Sequence, residues 1–576
     1  MIKTLPAFLI AIWLTFILPW VIQNVGGRGL NMPQNAIAWL MMSAVVFSIW
    51  CGVWRRKAEL PNVVYSSITV WFAIAAFILC IPLLYAPDAF RDMGLWRVSG
   101  VIGGLVFYFS LLQVSFTSRV QTGIICAVII AVVIQVSIAE LQRSFDGLNI
   151  YPSNLGRAHG VFQQPNLLAS FIAVGYALVW MAFTLPEFIS TTRLTEVWRK
   201  RIFLFLALCF AYSLVMQQSR TGWLSGILVL VFCTTFLRKH HSLASIKVII
   251  WSVIGVGTAI FRLLTTDSTI IGHDGSNHSR LAMLRISWEL IKQKPWFGSG
   301  YGSFEPAFSE MQIIFSPTIT EVVRHPHNEL LLWLVEGGAV AGIGLVILLI
   351  GMVKLYARAW NQHKLVSDYH LRSLISEGRH YSGSKGLMLC VATIPLLVHS
   401  LTEYPFYAST PHWVIFLFLM AITDMSLMKN DKKYRLNPQC TFIAGISFPL
   451  LSIVAITMMI GCLYGNAIIT RVEKEKLSDI RKIEHLSWLG KWAFEDRIAF
   501  DIQTNGLMKF NKSPNSRLLN AYVVWAEDYM SRRVDRNVYA NLISIYRYRN
   551  DYKKAEQLRH QATLRFPDDI RFKLLQ

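Results

Sequence analysis

The chain has 576 residues, 54% of them hydrophobic and only 15% charged, with a mean hydropathy of +0.43 and a net charge of +21. A soluble protein of average composition is about one-quarter charged, so this balance excludes a purely water-soluble globule. Apolar runs of about 18 or more residues recur, the length that crosses a hydrocarbon layer as a helix, and the chain reads as an all-α polytopic membrane protein with about 12–13 transmembrane helices.

The N-terminal stretch MIKTLPAFLIAIWLTFILPWVIQ has a short positive start and no small-residue cleavage site, so it reads as a retained first span. Thirteen spans follow from hydropathy, at 5–23, 36–54, 63–85, 95–114, 122–139, 165–184, 202–217, 222–237, 247–264, 330–353, 386–402, 410–427 and 441–463. With the N-terminus inside, one set of loops carries WRRK, SFTSR, RLTEVWRKR, LRKHH, the segment 354–385 and KNDKKYR. The short loops of the other set carry far fewer Lys and Arg. That asymmetry is the positive-inside pattern and orients the chain in a bacterial inner membrane. It also uses up much of the net charge, so a nucleic-acid partner loses its main support.

The orientation puts 140–164, MQQSRTG, the long loop 265–329 and TEYPFYAST on the outer, periplasmic face, together with the tail. Residues 1–463, including loop 265–329, form the expected membrane domain. Residues 464–576 form a periplasmic α-helical domain. Its stretch 537–569 has the pattern of one tetratricopeptide repeat, with Leu542, Tyr546, Ala555, Ala562 and Pro567 in place and Ile543 and Arg559 departing from it. One such repeat cannot bury its own face and must pack on helices at 480–530. A plain helical cap and a docking surface for a protein both fit this tail. The eight cysteines show no CxxC spacing and read as buried free thiols.

Titratable residues gather at the outer ends of spans. Arg220 in QQSRTG lies at a span junction, where charge is costly unless paired or facing a polar cavity. Arg157 precedes the span that follows FQQPN, whose Gln164 and Asn166 are the polar pair. The long loop contributes Arg280, Arg285, Lys292 and Lys294. Guanidinium forks suit the oxygens of a diphosphate, although lysines at a bilayer surface also serve anionic lipid headgroups. The stretch RHPHNELLLWLVEGG (324–338) places Arg324, His325, His327, Asn328 and Glu329 at the mouth of an apolar run. In an extended segment His325 and His327 point to opposite sides, and no Cys or HExxH spacing completes a metal site. Pro326 delays the helix to about His327 or Asn328, with Glu329 in its first turn. His327 suits a base near neutral pH. Near the end of the membrane region, HSLTEYPFYASTPHW adds His399, Glu403, Tyr404 and Tyr407. No cofactor is implied.

The ordered set FQQPN, QQSRTG, KPWFGSGYGSF, HPHNELLLWLVEGG and HSLTEYPFY resembles the bacterial O-antigen ligase/polymerase superfamily. Within it, the set looks like the PglL-type protein O-oligosaccharyltransferases. The resemblance implies a GT-C-like glycosyltransferase that takes a glycan from undecaprenyl diphosphate and transfers it to serine or threonine of a pilin or other periplasmic protein. It further implies His327 as the essential histidine, Arg220 with Arg280 or Arg285 as a diphosphate clamp, and Tyr404 as an active-site helper. Arg157 enters only by its nearness to QPN. O-antigen ligation to lipid A core, or glycan polymerisation, is the alternative within the superfamily. A transporter would instead place ionisable groups at mid-span within internal repeats, and no such repeat is evident.

Overall fold

The structure is a computed structural model that describes residues 4–21, 29–54, 63–145, 157–265, 274–315, 322–373, 384–428 and 434–573. The basic stretches WRRK and KNDKKYR lie largely outside the described residues. Among the described residues the fold is helical, apart from a two-stranded antiparallel pairing of Val64–Tyr65 with Tyr434–Arg435. The principal helices are α1 (Leu5–Ile12), α2 (Pro33–Trp54), α3 (Ser67–Cys80), α4 (Asp88–Leu111), α5 (Ser118–Ser144), α6 (Pro165–Thr184) and α7 (Arg193–Met216). They continue as α8 (Arg220–Thr265), α9 (Asp274–Gln293), α10 (Phe304–Phe315), α11 (Glu329–Ser373), α12 (Ser384–Thr402), α13 (Pro405–Ala408), α14 (Thr410–Leu427) and α15 (Pro438–Lys474). The tail adds α16 (Arg481–Glu484), α17 (Trp488–Lys491), α18 (Glu495–Lys512), α19 (Ser516–Arg532), α20 (Arg536–Tyr548) and α21 (Tyr552–Arg565).

Among the described residues, 11 helices are long and apolar enough to cross a membrane, and the protein is a multi-pass membrane protein. The two remaining expected spans are helical but fall short for identifiable reasons. Leu5–Trp20 is too short, and α7 begins with the charged run RLTEVWRKR, leaving only its second half apolar. Helix α8 joins two expected spans across LRKHH without an assigned break, yet it cannot be straight. Its Trp223 Nε1 donates to Leu214 O at 3.1 Å, and its Arg262 donates to Tyr212 Oη. A straight helix would separate Trp223 from Arg262 by roughly 58 Å, whereas their partners on α7 are two residues apart. The chain therefore doubles back within α8, as two spans of opposite direction require.

The chain divides into two compact units. The first comprises Met1–Ile74, Ile102–Ile271 and Ile347–Ile460. At its centre α6 is buried along its length, so every side chain from Leu167 to Thr184 faces protein. Small residues make this close approach possible. A Cβ on Gly175 would meet Val132, and one on Gly222 would meet Ala169 Cβ at 2.5 Å.

The second unit comprises Ala75–Val101, Gly272–Val346 and Gly461–Gln576. Among the described residues of the segment 265–329, which reads as a loop, most are helical, in α9 and α10. In the tail, α20 and α21 pair as the repeat pattern requires, burying Leu542, Tyr546 and Ala555 against Leu519, Tyr522 and Ala526 of α19. Arg559, out of pattern, is buried and donates to Phe572 O at 2.7 Å. The buried carboxylate of Glu305 in α10 accepts from Val534 N at 3.0 Å and from Arg533 at 3.1 Å, with Arg324 at 3.6 Å. No cysteine is in a disulfide; Cys233, Cys390 and Cys462 are buried, but Cys440 is exposed, because it sits in the first turn of α15.

Candidate active site

The candidate residues fall into two groups, one in each unit. In the first unit, three of the motifs meet at the ends of α6, α8 and α12. The focus is Glu403, 3% exposed at the end of α12. Its Oε2 accepts from Gln164 Nε2 at 2.6 Å and its Oε1 from Asn166 Nδ2 at 2.5 Å. His399, one helical turn earlier on the same face and fully buried, brings Nε2 to within 3.1 Å of Glu403 Oε2. The other imidazole nitrogen lies 2.8 Å from Ser170 Oγ on α6. Thr402, beside Glu403, contacts Thr221, beside Arg220, with hydroxyl oxygens 3.0 Å apart. The QQSRTG and HSLTEY segments are thus neighbours, and Arg220, half-buried, opens α8 there.

Arg157 joins this group through a hydrogen bond to the Gln217 carbonyl at 3.3 Å. Burial pushes its guanidinium pKa down, and the Glu403 carboxylate pushes it back up. The sequence proximity of Arg157 to QPN is therefore a spatial proximity to the same carboxylate. Tyr404 is buried at the start of α13, its ring 6.4 Å from that of the more exposed Tyr407. Below this cluster, His412 is fully buried between Ser409 Oγ at 2.7 Å and Leu167 O at 2.9 Å. The carbonyl can only accept, so Nε2 carries the proton and Nδ1 accepts from the serine.

In the second unit, Asn328 caps α11, its Oδ1 accepting from Leu331 N at 3.0 Å, and Glu329 opens the first turn. The expected helix start is correct to within a residue. The expected alternation of the two histidines does not hold, because His327 has φ 51 and the chain bends there instead of running extended. His325 is buried, His327 and Asn328 are half-exposed, and Arg324 is exposed toward Glu305. On α9, Arg280 is half-buried, while Arg285 is exposed with its guanidinium 5.9 Å from the Phe315 ring. Lys292 pairs with Glu289 at 2.8 Å and, like Lys294, is exposed. Among the described residues no group of three or more His, Cys, Asp or Glu is placed to hold a metal.

A regularity links three of the motifs. Gln163, Gln218 and His327 all have left-handed backbone, with φ of 58, 48 and 51. Each stands two residues before the first residue of a helix: α6, α8 and α11. The intervening residue is the cap. Ser219 Oγ accepts from Gly222 N at 3.1 Å, and Asn328 caps as above. Gln164, in the equivalent place, makes no capping hydrogen bond and turns its side chain to Glu403. Non-glycine residues seldom adopt this conformation, and such outliers concentrate at functional sites.

Sequence reasoning missed the group that fixes α11. Glu336 is 1% exposed and forms an ion pair with Arg97 of α4. Its carboxylate also accepts from Gly302 N and Phe304 N, each at 3.0 Å. Arg97 lies over the rings of Tyr301 and Trp333, at 5.5 and 5.3 Å. Two residues on, Gly338 breaks the helix with φ 58 and ψ −152. The segment 295–300 satisfies the broken backbone: Ser299 N donates to Val335 O, Gly300 N to Glu336 O, and Ala339 N to Pro295 O, all within 2.9 Å. KPWFGSGYGSF is therefore a strap on the helix that follows His327. The available signal was an acid followed by two glycines inside an otherwise apolar run, where charge is rare and marks a purpose.

Comparison with known proteins agrees with these motifs. A family model described as O-antigen ligase matches residues 204–346, and one described as virulence factor membrane-bound polymerase, C-terminal, matches 387–573. The ComP-specific O-oligosaccharyltransferase of Acinetobacter baylyi is 24% identical over 87% of this chain and 85% of its own length. The general O-oligosaccharyltransferase of the same organism is 21% identical over 45% of this chain and 42% of its own length, so the match spans less than half of that relative. The O-antigen ligase of Salmonella typhimurium is 20% identical over 56% of this chain and 78% of its own length. Both family models and all three relatives are similar to this chain, and together they support a PglL-type member of the O-antigen ligase superfamily.

Proposed function

We propose that the protein is a glycosyltransferase of the bacterial inner membrane. It transfers a preassembled oligosaccharide from undecaprenyl diphosphate to serine or threonine hydroxyls of pilin or other periplasmic proteins. The observation that carries the protein acceptor is the similarity to the ComP-specific O-oligosaccharyltransferase, which runs through 87% of the chain. The O-antigen ligase match over 204–346 favours a second reading, transfer to lipid A core.

The chemistry assigns roles to the residues named above. An alcohol is a weak nucleophile, so a base must take its proton as the oxygen attacks the anomeric carbon. We assign that base to His327. The bond from the anomeric carbon to the diphosphate oxygen breaks, and the electron pair leaves with undecaprenyl diphosphate. Arg220 and Arg280 or Arg285 stabilise the charge that develops there, as pre-positioned cations do without a metal. Arg157 supports Glu403, and Tyr404 assists at the acceptor. Arg324, His325, Asn328 and Glu329 hold His327 at the mouth of α11. The positive-inside pattern supports a place for this chemistry on the periplasmic face.

The test is transfer by the purified protein in liposomes, with undecaprenyl-diphosphate-linked glycan as donor and a pilin or lipid A core as acceptor. Glycan on serine or threonine peptides by mass spectrometry supports the reading, and transfer to lipid A core alone overturns it. His327→Ala should abolish transfer while the protein still inserts in the membrane. Full activity of that variant overturns the base assignment.

A further inference from the structure

The hydrogen bonds of Glu403 fix more than the local packing. A carboxylate only accepts, so the amide groups that face it at 2.6 and 2.5 Å must present their NH2 ends. The orientation of both Gln164 and Asn166 is thereby decided: each side-chain carbonyl oxygen points away from Glu403. Both residues are half-exposed, and among the described residues neither oxygen accepts a hydrogen bond. Gln164 reaches this orientation by leaving the capping role its position would give it. The left-handed Gln163 and the ring of Pro165 fix its backbone on either side. Beneath, His399 holds Glu403 from the protein interior, and Ser170 in turn holds His399.

Two acceptor oxygens beside a buried carboxylate are the wrong partner for a diphosphate, which needs donors. They suit a neutral ligand rich in hydroxyl or amide N–H groups. We propose that Gln164 and Asn166 form an acceptor pair that binds the donors of a sugar in the lipid-linked glycan. Glu403 is the positioning residue that keeps both amides turned outward. The inference rests on the glycosyltransferase reading above and assigns QPN to the sugar, not to the diphosphate.

The test compares Gln164→Met, Asn166→Leu and Glu403→Gln in the liposome assay. The donors are two undecaprenyl-diphosphate glycans whose first sugars differ by one hydrogen-bond donor. Loss of one acceptor should raise the donor KM about tenfold, the worth of a hydrogen bond to a neutral group. The rise should be smaller for the donor that lacks the hydroxyl or N–H, with kcat changed little. Glu403→Gln offers each amide a group that can donate as well as accept, so it should raise the KM of both donors and narrow the difference between them. Combining it with Gln164→Met should add little, because both changes act on one group. Unchanged donor KM values in Gln164→Met and Asn166→Leu overturn the proposal. So does an equal loss of kcat with every donor together with a lower thermal midpoint, the mark of a merely structural role. Those two half-exposed positions keep the proposal testable should Glu403→Gln fail to fold. The donor is common to both acceptor readings, so transfer to lipid A core would overturn the acceptor assignment and leave this measurement intact.

Discussion

A buried glutamate anchors the motifs in each unit, Glu403 in the first and Glu336 in the second, and the two collect different partners. Glu403 in the first unit gathers side chains: two amides and an imidazole, from α6 and α12. Glu336 in the second gathers two backbone N–H groups and a guanidinium, all buried or nearly so. The partners of Glu336 are used up in closing the broken helix, so its work is the fold. The amides on Glu403 keep their other ends open to solvent, which leaves them able to meet a ligand. The same residue type serves structure in one place and recognition in the other, and the outward ends of its partners decide which.

The largest expected effect tests the structural half of that contrast. Glu336→Gln removes the charge that faces the largely buried Arg97 and should lower stability by about 3–5 kcal/mol. Thermal unfolding in detergent should show a much larger drop than for Glu403→Gln, and equal drops would erase the distinction. Next comes Gly338→Ala. An added Cβ would lie 2.5 Å from Trp296 O at a residue with φ 58, a cost of about 2–3 kcal/mol from strain and the displaced strap. The same substitution at Gly257, where a Cβ meets nothing within 4 Å, is the control that should cost nothing.

Another buried carboxylate sharpens the comparison by failing to gather donors. Asp501 in α18 is buried, one of its oxygens has no partner among the described residues, and Glu473 is close by. Burial first, and then the Glu473 charge, push its pKa up to about 7. A folded-state value above the unfolded one means a stabilising contribution that is full below about pH 4 and is lost as pH rises through 7. Asp501→Asn should flatten that dependence and raise the thermal midpoint at pH 8. A pH profile unchanged by the substitution would show that Asp501 is as well partnered as the other two. The smallest expected effect is at Gln163. Gln163→Gly relieves a left-handed strain of about 1 kcal/mol and gives back a similar amount in chain entropy, so the midpoint should hardly move. Gln163→Val should lower it clearly.

The spans were legible in the sequence because a fixed hydrocarbon thickness demands a fixed apolar length. The reversal within α8 was legible for the same reason, even though the helix assignment runs through it. The start of α11 could be read from Pro326 and Asn328, since a proline and a cap act within a few residues. What could not be read is pairing at long range. Glu403 lies 239 residues from Gln164, and Glu336 lies 239 from Arg97. No local preference announces such partners. The break at Gly338 was hidden for another reason: two glycines in an apolar span also read as a close-packing surface. His327 defeated the alternation rule because a single left-handed residue is enough to turn a chain, and histidine tolerates that conformation better than most.

The left-handed residues before α6, α8 and α11 also bear on how the protein can change. Surface loops ordinarily tolerate added or deleted residues. At these three junctions one inserted residue would move the left-handed position off its cap, and each helix would restart rotated by about 100°. For α6 that rotation would carry Gln164 and Asn166 away from Glu403. A scan of single-residue insertions should therefore find these short connections as intolerant as the core of a span. Chimeras with relatives should be joined elsewhere, away from the residues that set the phase of each helix.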